Sequence, residues 1–193
     1  RWSAAAGGGR QAVPVTASPG TVQWVATSNE AWLTLSSGSG TGSGSVTLIA
    51  AATTTVSTRS ATVTIGGQEL AVNQEGGQAD LDVSLLQAPA SAAPGQKMVV
   101  RVTTRNSGLI RASALTSTGL YLSADTALDA GDVRLRVTPT DTVPALGSSD
   151  ASAQMVEALV PSSVAGAAYL LACADANSVL SEQDETNNCR SVS

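Results

Sequence analysis

The sequence predicts an all-β protein folded as two β-sandwich domains in tandem. Apolar residues alternate with polar ones over short segments, and no sustained 3.6-residue period appears. Those segments are separated by Gly, Ser, Pro and Asn clusters, the punctuation of many short strands. The composition agrees: Val and Thr are abundant, Phe is absent, and the charged residues make up only 13%. A chain of 193 residues suits two domains of about 100 residues. The run Gly76-Gly77-Gln78-Ala79 divides them, giving a first domain over 1–76, a linker at 77–79 and a second domain over 80–193. The two halves are not a repeat of one another.

In the first half, Arg1–Arg10 holds Trp2 and the run Gly7-Gly8-Gly9, and reads as a flexible arm. Val13 and Val15 begin a strand. Val22, Trp24 and Ala26 alternate as a second, and Trp32-Leu33-Thr34-Leu35 forms a third. Residues 36–45 are nearly all Gly, Ser and Thr, and read as a loop. Val46, Leu48 and Ala50 alternate, as do Ala61, Val63 and Ile65. Gly66-Gly67 suits a two-residue hairpin turn with positive φ, and Leu70, Val72 and Gln74 return from it.

In the second half, Leu81, Val83 and Leu85 alternate with Asp80, Asp82 and Ser84. Pro89–Gly95 turns the chain. Met98, Val100, Val102 and Thr104 then alternate with a more polar face. After Asn106-Ser107-Gly108, Leu120–Ser123 leads into a turn over Ala124–Asp132. Val133–Val137, Gln154–Val160 and Ala167–Ala174 supply further strands. Within the last, Tyr169, Leu171 and Cys173 point one way and Leu170, Ala172 and Ala174 the other. A polar turn follows, and the chain returns to Cys189.

Several functions are poorly served by this composition. The chain has no His, so it has no His-dependent triad and no His metal ligand. Lys97 is the only lysine and falls in a strand pattern, and no carboxylate pair has a marked spacing, so catalysis is not expected. The net charge of −5, without a basic cluster, is wrong for nucleic acid. The longest apolar run, Ala165–Ala174, is about half the roughly 20 residues needed to span a bilayer. The first residue is Arg1, with no Met and no signal peptide, the reading of a mature form or an excised fragment.

Two stretches resemble known families. Cys173-Ala174-Asp175, Glu182–Cys189 and TGLYLSADTALDAGD over 118–132 resemble CARDB, a bacterial extracellular β-sandwich module named for a proposed link to cell adhesion. Gly7-Gly8-Gly9, Trp24, Trp32-Leu33, 40–44, Arg59-Ser60-Ala61 and Val72-Asn73-Gln74 resemble a BACON domain, another bacterial all-β module. Gln23 departs from the Cys that many BACON relatives carry before Trp24. Together the resemblances imply two immunoglobulin-like sandwiches, BACON-like then CARDB-like, in an extracellular or cell-surface protein with no catalytic role. BACON membership implies either carbohydrate binding or a spacer role.

Four candidate features follow. Cys173 and Cys189 are a disulfide or two free buried thiols, and their position at strand ends flanking one turn favours the disulfide. Asp125, Asp129 and Asp132 share one turn; Asp175, Glu182, Asp184 and Glu185 share another. These are either oxygen ligands for calcium or turn caps, and neither turn has an EF-hand pattern. For glycan, the aromatics are Trp2, Trp24, Trp32, Tyr121 and Tyr169; Trp24 and Trp32 sit at regular strand positions and read as core. For self-assembly, Trp2 and Gly7-Gly8-Gly9 form an arm that either reaches a neighbouring copy or packs on its own domain, the more common outcome. Charge fits that last idea: 1–76 carries three basic and three acidic groups, and 77–193 carries seven and twelve. The expected partners are other surface proteins, copies of the chain itself, or glycan.

Overall fold

The computed structural model describes residues 1–138, 142–143, 146–163 and 168–193. Among these residues every regular element is a strand. The chain divides into two compact units, Arg1–Gly77 and Gln78–Ser193.

The first unit contains β1 (Trp2–Ala4), β2 (Gly9–Val15), β3 (Gln23–Ser28), β4 (Leu33–Leu35), β5 (Ser39–Thr41), β6 (Gly44–Ala50), β7 (Arg59–Ile65) and β8 (Gln68–Gln74). They form a five-stranded sheet, β1-β8-β7-β3-β5, and a three-stranded sheet, β2-β6-β4. The alternating residues face the core as their spacing predicts. Trp24, Leu33, Val46, Leu48, Val63 and Val72 are all buried there. Gly66 and Gly67 have φ of 56° and 80° and connect Ile65 to its partner Gln68, which is the positive-φ pair a two-residue hairpin needs.

Two expectations for this unit are corrected. The Gly/Ser stretch 36–45 is not loop throughout, because it contains β5 and the start of β6. The reason is Trp24. Gly40 pairs with it across β3 and β5, and a Cβ at Gly40 would overlap the indole. The Trp24 Nε1–H donates to the carbonyl of Gly42 at 2.8 Å. The glycines are therefore the bed on which the tryptophan lies. The N-terminal arm is also not free. Trp2 lies in β1, parallel to β8 with Trp2 opposite Val72, and packs against the unit's own core. The Gly8 N–H donates to the carbonyl of Ala5 at 3.0 Å, and β2 starts at Gly9.

The second unit contains β9 (Leu81–Gln87), β10 (Lys97–Asn106), β11 (Thr116–Ser117), β12 (Gly119–Ser123), β13 (Val133–Arg134), β14 (Arg136–Thr138), β15 (Thr142–Val143), β16 (Ala151–Leu159), β17 (Tyr169–Cys173) and β18 (Cys189–Val192). Two four-stranded sheets, β14-β16-β10-β9 and β13-β12-β17-β18, enclose one core; β11 and β15 form a small pair. Val100, Val102, Val156, Leu120, Leu170 and Ala172 lie in that core.

Three details differ from the simple pattern. A register shift in the β9–β10 ladder between Thr103 and Thr104 makes Leu86, not Leu85, the next buried residue after Val83. Val133–Val137 is not one strand: β13 pairs with β12, β14 pairs with β16, and the chain changes sheet at buried Leu135. The last core strand begins at Tyr169, and Ala167 lies outside the described residues. Every residue of β17 from Leu170 to Cys173 is buried, so this strand is covered on both faces.

Candidate functional site

One cluster of polar residues in the second unit is built around the segment between β17 and β18. Beyond Cys173 the chain turns at Asp175, which has φ of 41°, a conformation Asp tolerates better than most residues. Its buried carboxylate accepts the backbone N–H of Val179 at 3.2 Å and of Leu180 at 2.9 Å. On the return, Asp184 accepts the N–H and hydroxyl of Thr186, and Glu185 accepts the N–H of Glu182 at 2.8 Å. The Ala174 N–H donates to the carbonyl of Asn188 at 2.9 Å. The turn is closed by a Cys173–Cys189 disulfide between directly paired residues of β17 and β18, with Cα atoms 4.0 Å apart.

At the centre of the turn lies Glu182, only 5% exposed. One carboxylate oxygen accepts the N–H of Leu81, the first residue of β9, and the other accepts the amide of Asn188 at 3.1 Å. Burial pushes the Glu182 carboxyl up to about 7. The neighbouring charges of Asp175 and Glu185 push the same way, while the hydrogen bonds from Leu81 and Asn188 pull against it without cancelling it. Asp184 moves down instead, because the hydroxyl and N–H of Thr186 stabilise its charge.

The turn grips the start of the unit at two more points. The Gln183 N–H donates to the carbonyl of Ala79 at 2.8 Å, and the Asn187 amide donates to Asp80 at 2.9 Å. From the other side, fully buried Asn106 accepts the N–H groups of Asp80 and Gly108, each at 3.0 Å, and donates to the carbonyls of Ile110 and Leu146. The Ser107 N–H donates to the carbonyl of Asp80 at 2.7 Å. The backbone from Gln78 to Leu81 is thus fastened by two separate loops.

The acidic residues considered as calcium ligands serve backbone groups. In the other turn, Asp125 accepts the N–H of Ala127, Asp129 that of Gly131, and Asp132 that of Asp129. Among the described residues, no three acidic side chains come together in a group able to hold a metal ion. The physical reason is mostly local: each carboxylate except Glu182, which reaches the N–H of Leu81, lies within a few residues of an N–H of its own turn.

The aromatic candidates are likewise engaged. Trp24 is 8% exposed and hydrogen-bonded. Trp32 is half-buried rather than buried, since it lies in the turn before β4, and the Arg59 guanidinium stacks 4.4 Å from its ring centre. Arg134 lies 5.9 Å from the ring of Tyr121. Tyr169 and Trp2 are half-buried. A groove of about 460 Å³ runs beside Trp24, lined by Val13, Val15, Val22 and Leu70 among others.

Sequence reasoning missed the scaffold roles of Asn106, Gln74 and Arg59. The one available signal was position: Asn106 and Gln74 each end a strand on its buried face, where an apolar residue would be expected.

The family model for CARDB matches residues 78–192, more than half of the chain. The chain belongs to the CARDB family. A BACON model, described as a putative binding domain, N-terminal, matches residues 22–75, so a BACON domain precedes the CARDB domain. Both are modules of a binding or adhesive kind. No curated protein matches the chain.

Among solved structures, the chain is similar to a Bacteroides ovatus GH5 xyloglucanase in complex with a XXXG heptasaccharide, at 27% identity and a TM-score of 0.34. That match covers 48% of this chain and 19% of the xyloglucanase. It is also similar to a CARDB domain from Pyrococcus furiosus in complex with di-metal ions, at 19% identity and a TM-score of 0.38, over 59% of this chain and 89% of that one. The third is the Yersinia pseudotuberculosis adhesin InvE, at 16% identity and a TM-score of 0.30, over 98% of this chain and 55% of the adhesin. Among the described residues, no helix is long and apolar enough to cross a membrane.

Proposed function

We propose that this chain is a non-enzymatic structural and adhesive module of an extracellular or cell-surface bacterial protein, presenting or joining parts of a larger assembly. The observation that carries this reading is how its polar side chains are used. Asp175, Glu182, Asp184, Glu185 and Asn106 bind backbone groups and Asn187 binds the carboxylate of Asp80, so they hold the fold in place. A disulfide within the same cluster suits an oxidising, extracytoplasmic setting. Family membership points the same way.

A carbohydrate-binding role is supported less well. Sugar platforms present an open aromatic face, whereas Trp24 is in the core and Trp32 has Arg59 across its ring. The test is a glycan array run beside electron microscopy and bead-adhesion assays. Beads coated with the full chain are expected to adhere to chain-coated or protein-coated surfaces, with no selective glycan signal. Selective glycan binding that is lost in Trp32→Ala would overturn the reading in favour of a carbohydrate module. Ordered filaments on the grids would recast the chain as a filament subunit.

A further inference from the structure

We propose that the disulfide-closed segment between Cys173 and Cys189 is a mechanical clamp. It takes tension arriving at the start of the CARDB domain and passes it to the buried strand β17. The inference deepens the structural reading above and rests on it.

The argument begins with where the load enters. In the second unit the chain starts at Gln78, and β9 begins at Leu81. If β9 were held only by its ladder to β10, a pull on Gln78 would act on the end of that ladder and open it one residue at a time. Beside the bonds from the Asn106–Leu109 loop that follows β10, three hydrogen bonds from the turn stand in the way: Leu81 N–H to Glu182, Gln183 N–H to the Ala79 carbonyl, and the Asn187 amide to Asp80. All three come from six consecutive residues of one turn, so they are loaded together.

The turn would be a poor anchor if it were free. It is not, because Asn187 is two residues from Cys189, and Cys189 is bonded to Cys173. Cys173 ends β17, which has β12 on one side and β18 on the other, each in ladder register with it. A covalent path of a few residues therefore joins the turn, which holds the entry point by its hydrogen bonds, to the middle of a sheet. The last strand adds a side link, since Arg190 of β18 donates to the carbonyl of Ser84 on β9 at 3.0 Å.

This arrangement also accounts for the polar composition of the turn. A buried carboxylate and two half-buried Asn side chains whose oxygens are out of solvent are costly in a β-sandwich. They are understandable where the task is to hold another segment: Glu182 takes the Leu81 N–H, Asn187 holds the Asp80 carboxylate, and Asn188 holds Glu182 in place.

The experiment is single-molecule force spectroscopy of the full chain, held by handles at its two ends. Reduction of the disulfide releases a loop of sequence separation 16, which adds about 5 nm of extended chain and marks the unfolding events of the second unit. The clamp predicts that Asn187→Ala shortens the lifetime of this unit at constant force about fivefold, the usual value of one hydrogen bond. Glu182→Ala should shorten it about tenfold or more, and reduction should shorten it as well. In the reduced protein the two substitutions should lose most of their effect, because the anchor is gone.

Val156→Ala, a core change on β16 outside the segment from Cys173 to Cys189, controls for general destabilisation. Matched to Asn187→Ala by melting temperature, it should shorten the lifetime less. If the matched variants behave alike, or if reduction leaves the lifetime and the two substitutions unchanged, the clamp is wrong and the structural reading stands. If the intact second unit extends without measurable resistance, both fail.

Discussion

Glu182→Gln isolates the charge of one buried carboxyl while keeping its shape. An unfolded glutamate titrates near 4.5, and burial beside Asp175 and Glu185 lifts Glu182 to about 7 in the folded unit. Between those two values the folded state holds a proton that the unfolded state has lost. Stability therefore falls as pH rises through this window, and is level again above about 7. At about 1.4 kcal/mol for each pH unit, the loss from this one group is about 3 kcal/mol. Gln mimics the protonated acid and has no charge to bury. It keeps one acceptor for the Leu81 N–H, and its amide can face the Asn188 oxygen if that side chain turns end for end. That oxygen is buried without a partner in the present arrangement. The assay is urea unfolding from pH 4 to pH 8, followed through the transition of the second unit. Wild type and Glu182→Gln should agree near pH 4.5 and diverge as pH rises, with the variant the more stable by up to about 3 kcal/mol at pH 8. Asp184 shifts in the opposite direction, but its contribution is lost only as pH falls through the normal aspartate range, and it is common to both proteins. A difference that does not change with pH, or a wild type that gains relative stability toward pH 8, refutes the reasoning.

Two further outcomes test the packing of each unit. Gly40→Ala should destabilise the first unit by about 1–3 kcal/mol, because its Cβ displaces the indole of Trp24, while Gly38→Ala, which meets only an ordinary contact, should cost less; thermal melts decide it. Asn106→Leu should cost the second unit about 3 kcal/mol or more, since it strands the N–H groups of Asp80 and Gly108 and the carbonyls of Ile110 and Leu146; a change under 1 kcal/mol in chemical unfolding would show that those groups re-pair.

The strands were legible wherever an apolar face alternates cleanly. Met98, Val100, Val102 and Thr104 read as one face of β10, and that face continues to Asn106. The register shift opposite Thr103 and Thr104 was not legible, because a bulge moves the buried position from Leu85 to Leu86 without leaving a mark in the sequence. Nor was β5. Its composition is that of a loop, and it is a strand because the indole of Trp24 requires a partner without a side chain. For β1 the decisive partner is β8, some 70 residues away, and the parallel register of Trp2 with Val72 brings the supposed arm onto its own core. The acidic turn was legible as a cluster, but not as to its task. Glu182 and Glu185 look alike in sequence, yet one is buried against Leu81 and the other caps the turn from an exposed position.

The two units answer one problem in the same manner. A sandwich of Ala, Val, Leu and Thr has a thin apolar core and many loop carbonyls and N–H groups near its ends. In the BACON domain, fully buried Gln74 ends β8, donates to the carbonyls of Ala5 and Ala51, and accepts from Arg59 at 2.7 Å. Arg59 in turn reaches the carbonyls of Ala51 and Ala52 and covers Trp32. In the CARDB domain, Asn106 ends β10 and ties four loop groups together. Each amide supplies donors and acceptors at the strand end, where the ladder no longer satisfies the backbone. The CARDB domain adds what the BACON domain lacks, a covalent closure and a buried carboxylate directed at its own first strand. On the clamp proposed above, that difference makes the segment from Cys173 to Cys189 the part of the chain on which a load-bearing role depends.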